Sequence, residues 1–208
     1  MKNVRWKIIL ASNSPRRKEL LAGLDLQFEV RVLQNIDESY PEDLPTKEIA
    51  EFISKKKADA YVQTMADDEL VITADTVVIL GDEVMGKPRD EADAKRMLGE
   101  LSGQTHQVAT GVTLSTKERQ MSFSVVTDVT FKQLSSDEID YYVRTYHPMD
   151  KAGAYGIQEW IGYIGVTALN GSYFNVMGLP VQRIYEALRT FSDLTPECGS
   201  AIFGTQNM

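Results

Sequence analysis

Lys7-Ile8-Ile9-Leu10-Ala11-Ser12-Asn13-Ser14-Pro15-Arg16-Arg17-Lys18-Glu19-Leu20-Leu21 is the stretch from which the architecture follows. Residues 7–11 read as a buried β-strand, a short apolar run stopped by a polar cluster. Serine suits a helix N-cap and proline the first helical turn, so Ser12-Asn13-Ser14-Pro15 opens a helix. Leu20, Leu21 and Leu24 give that helix an apolar face, and Gly23 is its end signal. A strand feeding directly into a helix is the first half of an α/β unit. The apolar run at residues 8–11 is too short for the roughly 7–15 residues of a signal-peptide core. No stretch approaches the ~18 apolar residues of a membrane span, so a soluble, cytoplasmic protein without membrane partners is expected.

Downstream, Phe28–Leu33 alternates as a second strand, and residues 34–46, polar with two prolines, form a loop. Thr46 caps a helix reaching about Gln63. Leu70–Leu80 is a β-branched, apolar strand carrying one acid, Asp75, and Gly81-Asp82 is a turn. Asp90 caps a helix to about Leu101. His106–Ser115 and Gln120–Leu134 form a long antiparallel pair around a turn at Thr116–Arg119. Ser135-Ser136-Asp137-Glu138 is a capping box opening a helix to Tyr146. A glycine-rich region with short strands spans Gly153 to Gly178, and Leu179-Pro180 opens a last helix to about Phe191. The expected class is a mixed α/β (α+β) protein with two lobes around a central cleft. Asp193–Met208 shows no periodicity and reads as a loose tail.

Composition narrows the function. The chain has 208 residues, of which 43% are hydrophobic and 25% charged, the profile of a globular protein. A net charge of −8 argues against duplex nucleic acid as a partner, though a local basic cluster still suits a small anion. One cysteine, Cys198, excludes an internal disulfide and a multi-cysteine zinc site. Two histidines make a histidine-built metal centre unexpected, so any metal would be a hard cation on carboxylates. There is no Walker A pattern and no Gly-x-Gly-x-x-Gly.

Five places carry candidate chemistry. Ser12, Ser14, Arg16 and Arg17 stand at a helix N-terminus, where free N–H groups, hydroxyls and guanidiniums suit phosphate oxygens. Cations in a first turn oppose the helix dipole, a cost that a bound anion offsets; the alternative is a plain cap with solvated arginines. Asp75 in an apolar strand must be paired, metal-bound or proton-shifted, unless the strand ends near Ala74. If the strand continues, Thr76 points to the opposite face, and the two meet only around a bend. Asp37-Glu38 offers oxygen ligands on a loop, or a solvated acidic turn. In Lys55-Lys56-Lys57, with Ile49, Phe52, Ile53 and Ala60 inward, periodicity places Lys56 in the apolar stripe and Lys57 at its edge without choosing between them. Lys87, held between Gly86 and Pro88, can present a point charge to phosphate, or belong to a basic turn.

Together these segments resemble the Maf family of nucleotide pyrophosphatases. The resemblance runs from residues 10–21 through Asp37-Glu38, Lys57-Ala58, Ala74-Asp75-Thr76-Val77, Gly86-Lys87-Pro88 and Leu101-Ser102-Gly103-Gln104-Thr105-His106. It closes with Asp150-Lys151-Ala152-Gly153-Ala154-Tyr155-Gly156-Ile157-Gln158, Gly171-Ser172-Tyr173 and Asn175-Val176-Met177-Gly178-Leu179-Pro180, collinear over about residues 7–190. It implies one Maf-like catalytic domain over 1–192, with an elongated mixed sheet of the inosine-triphosphate-pyrophosphatase type. It also implies hydrolysis of a nucleoside triphosphate to monophosphate and pyrophosphate with a divalent cation, Mg²⁺ or Mn²⁺. By the same resemblance Asp75 is the proton acceptor for the attacking water, and Glu38 with Asp75 forms the metal site. Arg17, Lys57 and Lys87 then contact the triphosphate, with Ser12 and Ser14 at the helix entrance.

Within the family, Arg16, Thr76 and Gln158 match the three positions that mark the dTTP/UTP subgroup. The 7-methyl-GTP subgroup carries a bulky aromatic, a Gln and a Glu there. Two departures stand out: His147-Pro148 where Glu-Pro is usual, and Glu159-Trp160 where small residues are common. Modified pyrimidine triphosphates such as 5-methyl-UTP or pseudo-UTP are a second substrate reading. A 7-methyl-GTP-type pyrophosphatase, and a nucleotide-binding regulator of septum formation without turnover, are alternatives. The resemblance suggests a homodimer, and no heptad seam or exposed apolar stripe in the sequence supports one.

Overall fold

The structure is a computed structural model and describes residues 6–191. The expected tail at 193–208 and Cys198 lie outside the described residues. Seven strands form one mixed sheet: β1 (Lys7–Leu10), β2 (Phe28–Val30), β3 (Glu69–Leu80), β4 (Glu83–Met85), β5 (Thr105–Ser115), β6 (Gln120–Phe131) and β7 (Val166–Asn170). Their order is β2-β1-β3-β5-β6-β7, with β4 folded back on β3. β1 runs parallel to β2 and β3, and the remaining pairs are antiparallel.

The helices are α1 (Pro15–Ala22), α2 (Thr46–Val62), α3 (Glu91–Leu101), α4 (Ser136–Tyr146), α5 (Trp160–Gly165), α6 (Tyr173–Val176) and α7 (Val181–Phe191). The capping chemistry read from the sequence is largely present. Ser14 and Asp90 cap α1 and α3, and Ser135 and Glu138 form a reciprocal capping box on α4. Thr46 is different: Pro45 holds the cap position of α2, and Thr46 is the first helical residue.

Alternation along β3 divides the core. Odd-numbered Val77 and Ile79 pack with Ala109 of β5 against Ile49, Ala50 and Ile53 of α2. Even-numbered residues face the other way and split between two groups. Leu70, Ile72 and Ala74 pack under α1 and α7, whereas Val78 packs with α3 and α4. One sheet thus carries two lobes on its even face, with Thr76 between them.

The gap continues into the strand ladder. β1 pairs with β3 as far as Ile72, and β4 pairs with it from Val78 onward. Among the described residues, β3 between those points has a ladder partner on one edge only, β5. The cleft opens at that uncovered edge.

Gly111 sets how closely α2 lies on the sheet. It pairs with Asp75 across the β3–β5 ladder, and a Cβ there would fall 2.2 Å from Ala50 C and Glu51 N. Only a residue without a side chain lets the α2 backbone sit this low. A Gly111→Ala variant is expected to lose about 1–3 kcal/mol of stability by overpacking and to lift α2 with its lysines. Denaturant unfolding checks this, and an unchanged midpoint contradicts it.

The region 153–178, expected to hold short strands, contains only one, β7. A 3₁₀ turn at Ala152–Ala154, α5 and α6 make up most of the rest. Glycines spaced every few residues permit tight reversals that a strand pattern does not describe. The second strand is likewise shorter than read, ending at Val30. No helix among the described residues is long and apolar enough to cross a membrane.

Candidate active site

The α1 N-terminus, the open edge of β3, α2 and the 150–158 segment enclose a cavity of about 320 Å³. Five cationic side chains line it, Arg16, Arg17, Lys57, Lys87 and Lys151, against three acids, Glu38, Asp75 and Asp150. In a chain of net charge −8, this is a local excess of positive charge. A second hollow of about 450 Å³ adjoins it, sharing Ser14, Arg16, Arg17, Glu38, Lys57 and Lys87 and adding Ser12.

Asp75 lies inside β3, not in a turn after it. Its Oδ1 accepts from Lys57 Nζ at 2.8 Å, and both side chains are about one-seventh exposed. Its Oδ2 has no protein partner among the described residues. Lys57 Nζ also meets Glu38 Oε1 at 3.1 Å, so two carboxylates share one ammonium.

Strand alternation alone puts Asp75 and Thr76 on opposite faces unless the strand bends. β3 runs through both, and both line the same cavity, because the cavity sits on the open strand edge and is reached from either face. Thr76 Oγ1 lies 3.0 Å from Thr110 Oγ1, its cross-strand partner, and accepts from Arg17 at 3.1 Å.

Adjacent acids in the loop pair with adjacent lysines on α2. Asp37 takes Lys56 at 2.8 Å and Glu38 takes Lys57. The Lys56 bond, with two from Ser39, holds the Asp37 carboxyl well below its usual range. The buried stripe of α2 runs through Ile49, Ala50, Ile53, Ser54, Ala58 and Tyr61, rotated from the expected one, and turns Lys57 inward and Lys56 out. In this orientation the Ala50–Glu51 backbone lies directly on Gly111.

Arg17 is held in the fold by three hydrogen bonds. Its Nε donates to Gly178 O at 2.9 Å, one terminal nitrogen to Ala74 O at 2.7 Å, and the other to Thr76. Burial holds its pKa below the usual value, while nearby Asp75 works the other way. Three of five guanidinium N–H groups are used, and two remain for a ligand. Ser12 Oγ accepts the Ser14 N–H, and Ser14 Oγ caps α1. Lys87 is exposed at the rim and has no carboxylate partner among the described residues.

Arg16 reaches across the cleft to Asp150 at 2.8 Å. Burial would raise the Asp150 pKa, but bonds from Lys151 and Arg16 outweigh it and hold it at about 2. Gln158 lines the cavity, and its Oε1 is buried without a partner among the described residues. The structure thus gathers nine of the ten sequence candidates around one cavity and places the tenth, Ser12, in the adjoining hollow.

A family model described as Maf-like protein matches residues 7–191. The chain belongs to the Maf family. Curated relatives of this Maf chain include proteins named dTTP/UTP pyrophosphatase. One from Phocaeicola vulgatus is 63% identical over 185 residues, covering 89% of this chain and 96% of that protein. One from Parabacteroides distasonis is 58% identical over 187 residues, covering 90% and 97%. One from Porphyromonas gingivalis is 50% identical over 191 residues, covering 91% and 96%. The solved structure of the Staphylococcus aureus Ham1 protein superposes with a TM-score of 0.51 at 16% identity, covering 89% of this chain and 99% of that one. That likeness establishes the Ham1 fold for the Maf chain, the mixed-sheet class expected above.

Sequence reasoning gave no role to Asp150 and Lys151, although they lie in a matched segment. The available signal was an acid–base pair leading into a run of small residues. Of the two departures, His147 is the exposed left-handed C-cap of α4 and does not line the cavity. Glu159 stands just behind the wall, paired with Lys151 at 3.1 Å and accepting from the Tyr142 hydroxyl.

Proposed function

We propose that the cleft hydrolyses dTTP and UTP to the monophosphate and pyrophosphate. The observation that carries this reading is Asp75: one oxygen is fixed by Lys57 and the other is free at the cavity wall. A carboxylate anchored on one side can accept a proton on the other, as a general base for water must. The names of the close relatives supply the substrate class, and Arg16, Thr76 and Gln158 occupy the subgroup positions around the same cavity.

The remaining groups divide by chemistry. Phosphoryl transfer needs positioning and charge neutralisation more than covalent help. Among the described residues Lys87 has no carboxylate partner and Arg17 keeps two donors, which leaves both able to take phosphate oxygens. Ser12 and Ser14 cap the start of α1 beside the same space, their hydroxyls taking the Ser14 and Arg17 N–H groups. Gln158 offers an amide edge to the base.

Glu38 and Asp75 fit a hard divalent cation. The Lys57 ammonium brings the two carboxylates together through one oxygen of each, and a cation beside it would take oxygens that Lys57 leaves over, with phosphate oxygens and water completing the shell. Among the described residues no group of three His, Cys, Asp or Glu gathers, so substrate and water would have to supply most of the shell. When bound, Mg²⁺ or Mn²⁺ would neutralise phosphate charge and acidify water. A panel of dTTP, UTP, CTP, GTP and 7-methyl-GTP, assayed for pyrophosphate release with Mg²⁺ and with chelator, tests the proposal. Turnover of dTTP and UTP that chelator abolishes is expected. Preference for 7-methyl-GTP, or binding without turnover of any nucleotide, overturns it.

A further inference from the structure

Lys151 and Gln158 converge over Gly156. A Cβ on Gly156 would lie 2.8 Å from Gln158 Nε2, 3.0 Å from Glu159 Cδ and 3.1 Å from Lys151 Cε. Gly153 and Ala154, both at positive φ, turn the chain between them, and a left-handed alanine costs roughly 1 kcal/mol. That cost is held in a segment that forms the cavity wall.

Lys151 Nζ donates to Asp150 Oδ1 at 2.8 Å and pairs with Glu159 Oε1 at 3.1 Å. An ammonium has three donors. The third has no protein partner among the described residues, although the side chain is only 8% exposed. Beside it, Gln158 Oε1 is buried and unpartnered. Two residues that line the cavity side by side therefore carry a donor and an acceptor, both withdrawn from water, that no protein group among the described residues satisfies. Such groups are costly to leave unmade, and a ligand is what completes them.

We infer that Lys151 reads the base together with Gln158, its free N–H donating to a ring carbonyl oxygen while Gln158 Oε1 accepts the adjacent ring N–H. This rests on the pyrimidine triphosphate reading above. Uracil and thymine present a carbonyl, O4, next to N3–H. Cytosine presents an amino group next to an unprotonated nitrogen. An amide alone cannot tell them apart, because a half-turn exchanges its oxygen and nitrogen. An ammonium is a donor in every rotamer. Lys151 therefore fixes the polarity of the edge, and cytosine would set its amino group against a cation.

Glu159 is a positioning residue in this arrangement. Its Oε2 accepts from the Tyr142 hydroxyl, whose oxygen accepts the Gly156 N–H at 3.0 Å. Asp150, the other carboxylate on Lys151, is anchored by Arg16. Both partners of the ammonium are themselves held, which aims the third donor.

The test compares kcat/KM for UTP, CTP and 4-thio-UTP, in which sulfur, a weak acceptor, replaces O4 while N3–H is kept. Wild type is expected to prefer UTP to CTP and to lose about tenfold or more on 4-thio-UTP, the size of a hydrogen bond to a charged group. Lys151→Met should lose a similar factor on UTP, mainly in KM, handle UTP and 4-thio-UTP alike, and compress the UTP:CTP ratio. Glu159→Gln should compress that ratio in the same direction by less. A folded Lys151→Met with wild-type ratios overturns the inference, as does a wild type that treats UTP and 4-thio-UTP equally. The second arm decides even if Lys151→Met fails to fold. A wild type that turns over no pyrimidine triphosphate, or does not favour UTP over CTP, overturns the pyrimidine reading itself, and the inference with it.

Discussion

An Asp75→Asn variant is expected to lose about 10²–10⁴-fold in kcat on UTP, the range for removing a positioned general base, with nucleotide binding largely kept. The amide preserves shape and volume in a strand packed on both faces. Glu38 still meets Lys57, so the ammonium keeps one carboxylate and the local fold is not left with an isolated charge. What disappears is the free oxygen that accepts a proton. Initial rates and calorimetric titration with UTP, read together, check this. A variant with rates within a few-fold of wild type would show that another group takes the proton. Joint loss of turnover and binding would place Asp75 in substrate binding instead.

Lys57→Met is expected to be the most damaging cation replacement. The ammonium lies between Asp75 at 2.8 Å and Glu38 at 3.1 Å. Without it, two acids face one another at the cavity wall, and breaking such a largely buried pair costs about 3–5 kcal/mol when one partner is removed. Stability should fall, and kcat/KM with it by about 10²-fold or more, because Asp75 loses the contact that orients it and the phosphates lose a cation. Lys56→Met provides the comparison. Lys56 pairs with Asp37 outside this cavity, and its loss is expected to change rates by no more than about twofold, as for an exposed pair. Equal effects from the two lysines would contradict the assignment.

That contrast shows where the sequence stops being informative. Three consecutive lysines on an amphipathic helix differ only by rotation about its axis. The rotation is seen only in how α2 packs on β3 and β5, where Gly111, on another strand, lets the Ala50 backbone approach. Nothing local to residues 55–57 encodes it. Asp75 was more legible, since an acid in an apolar strand requires a partner wherever the strand packs. Its proximity to Thr76 was not, because alternation describes faces and says nothing about which stretch of an edge is left uncovered. β1 stopping at Ile72 and β4 starting at Val78 create that stretch through pairings distant in sequence.

The capping signals at Ser14, Asp90 and Ser135 were readable because each acts within one helical turn. The glycine-rich 153–178 region was not, because its reversals depend on what they pack against. The Arg16–Asp150–Lys151–Glu159–Tyr142 chain of contacts spans both lobes and involves residues with no individual sequence mark. Arg16, Thr76 and Gln158 were legible through family resemblance, and their convergence on one cavity was left to the fold.

The most direct test of the central claim is the identity of the products of UTP hydrolysis, followed by phosphorus NMR with Mg²⁺ present. A base that activates water in a cleft lined for a triphosphate, cutting between the α- and β-phosphates, yields UMP and pyrophosphate in equal amounts from the first turnover. Appearance of UDP and inorganic phosphate would contradict it, because the bond broken would then lie at the far end of the chain from the one assigned to Asp75.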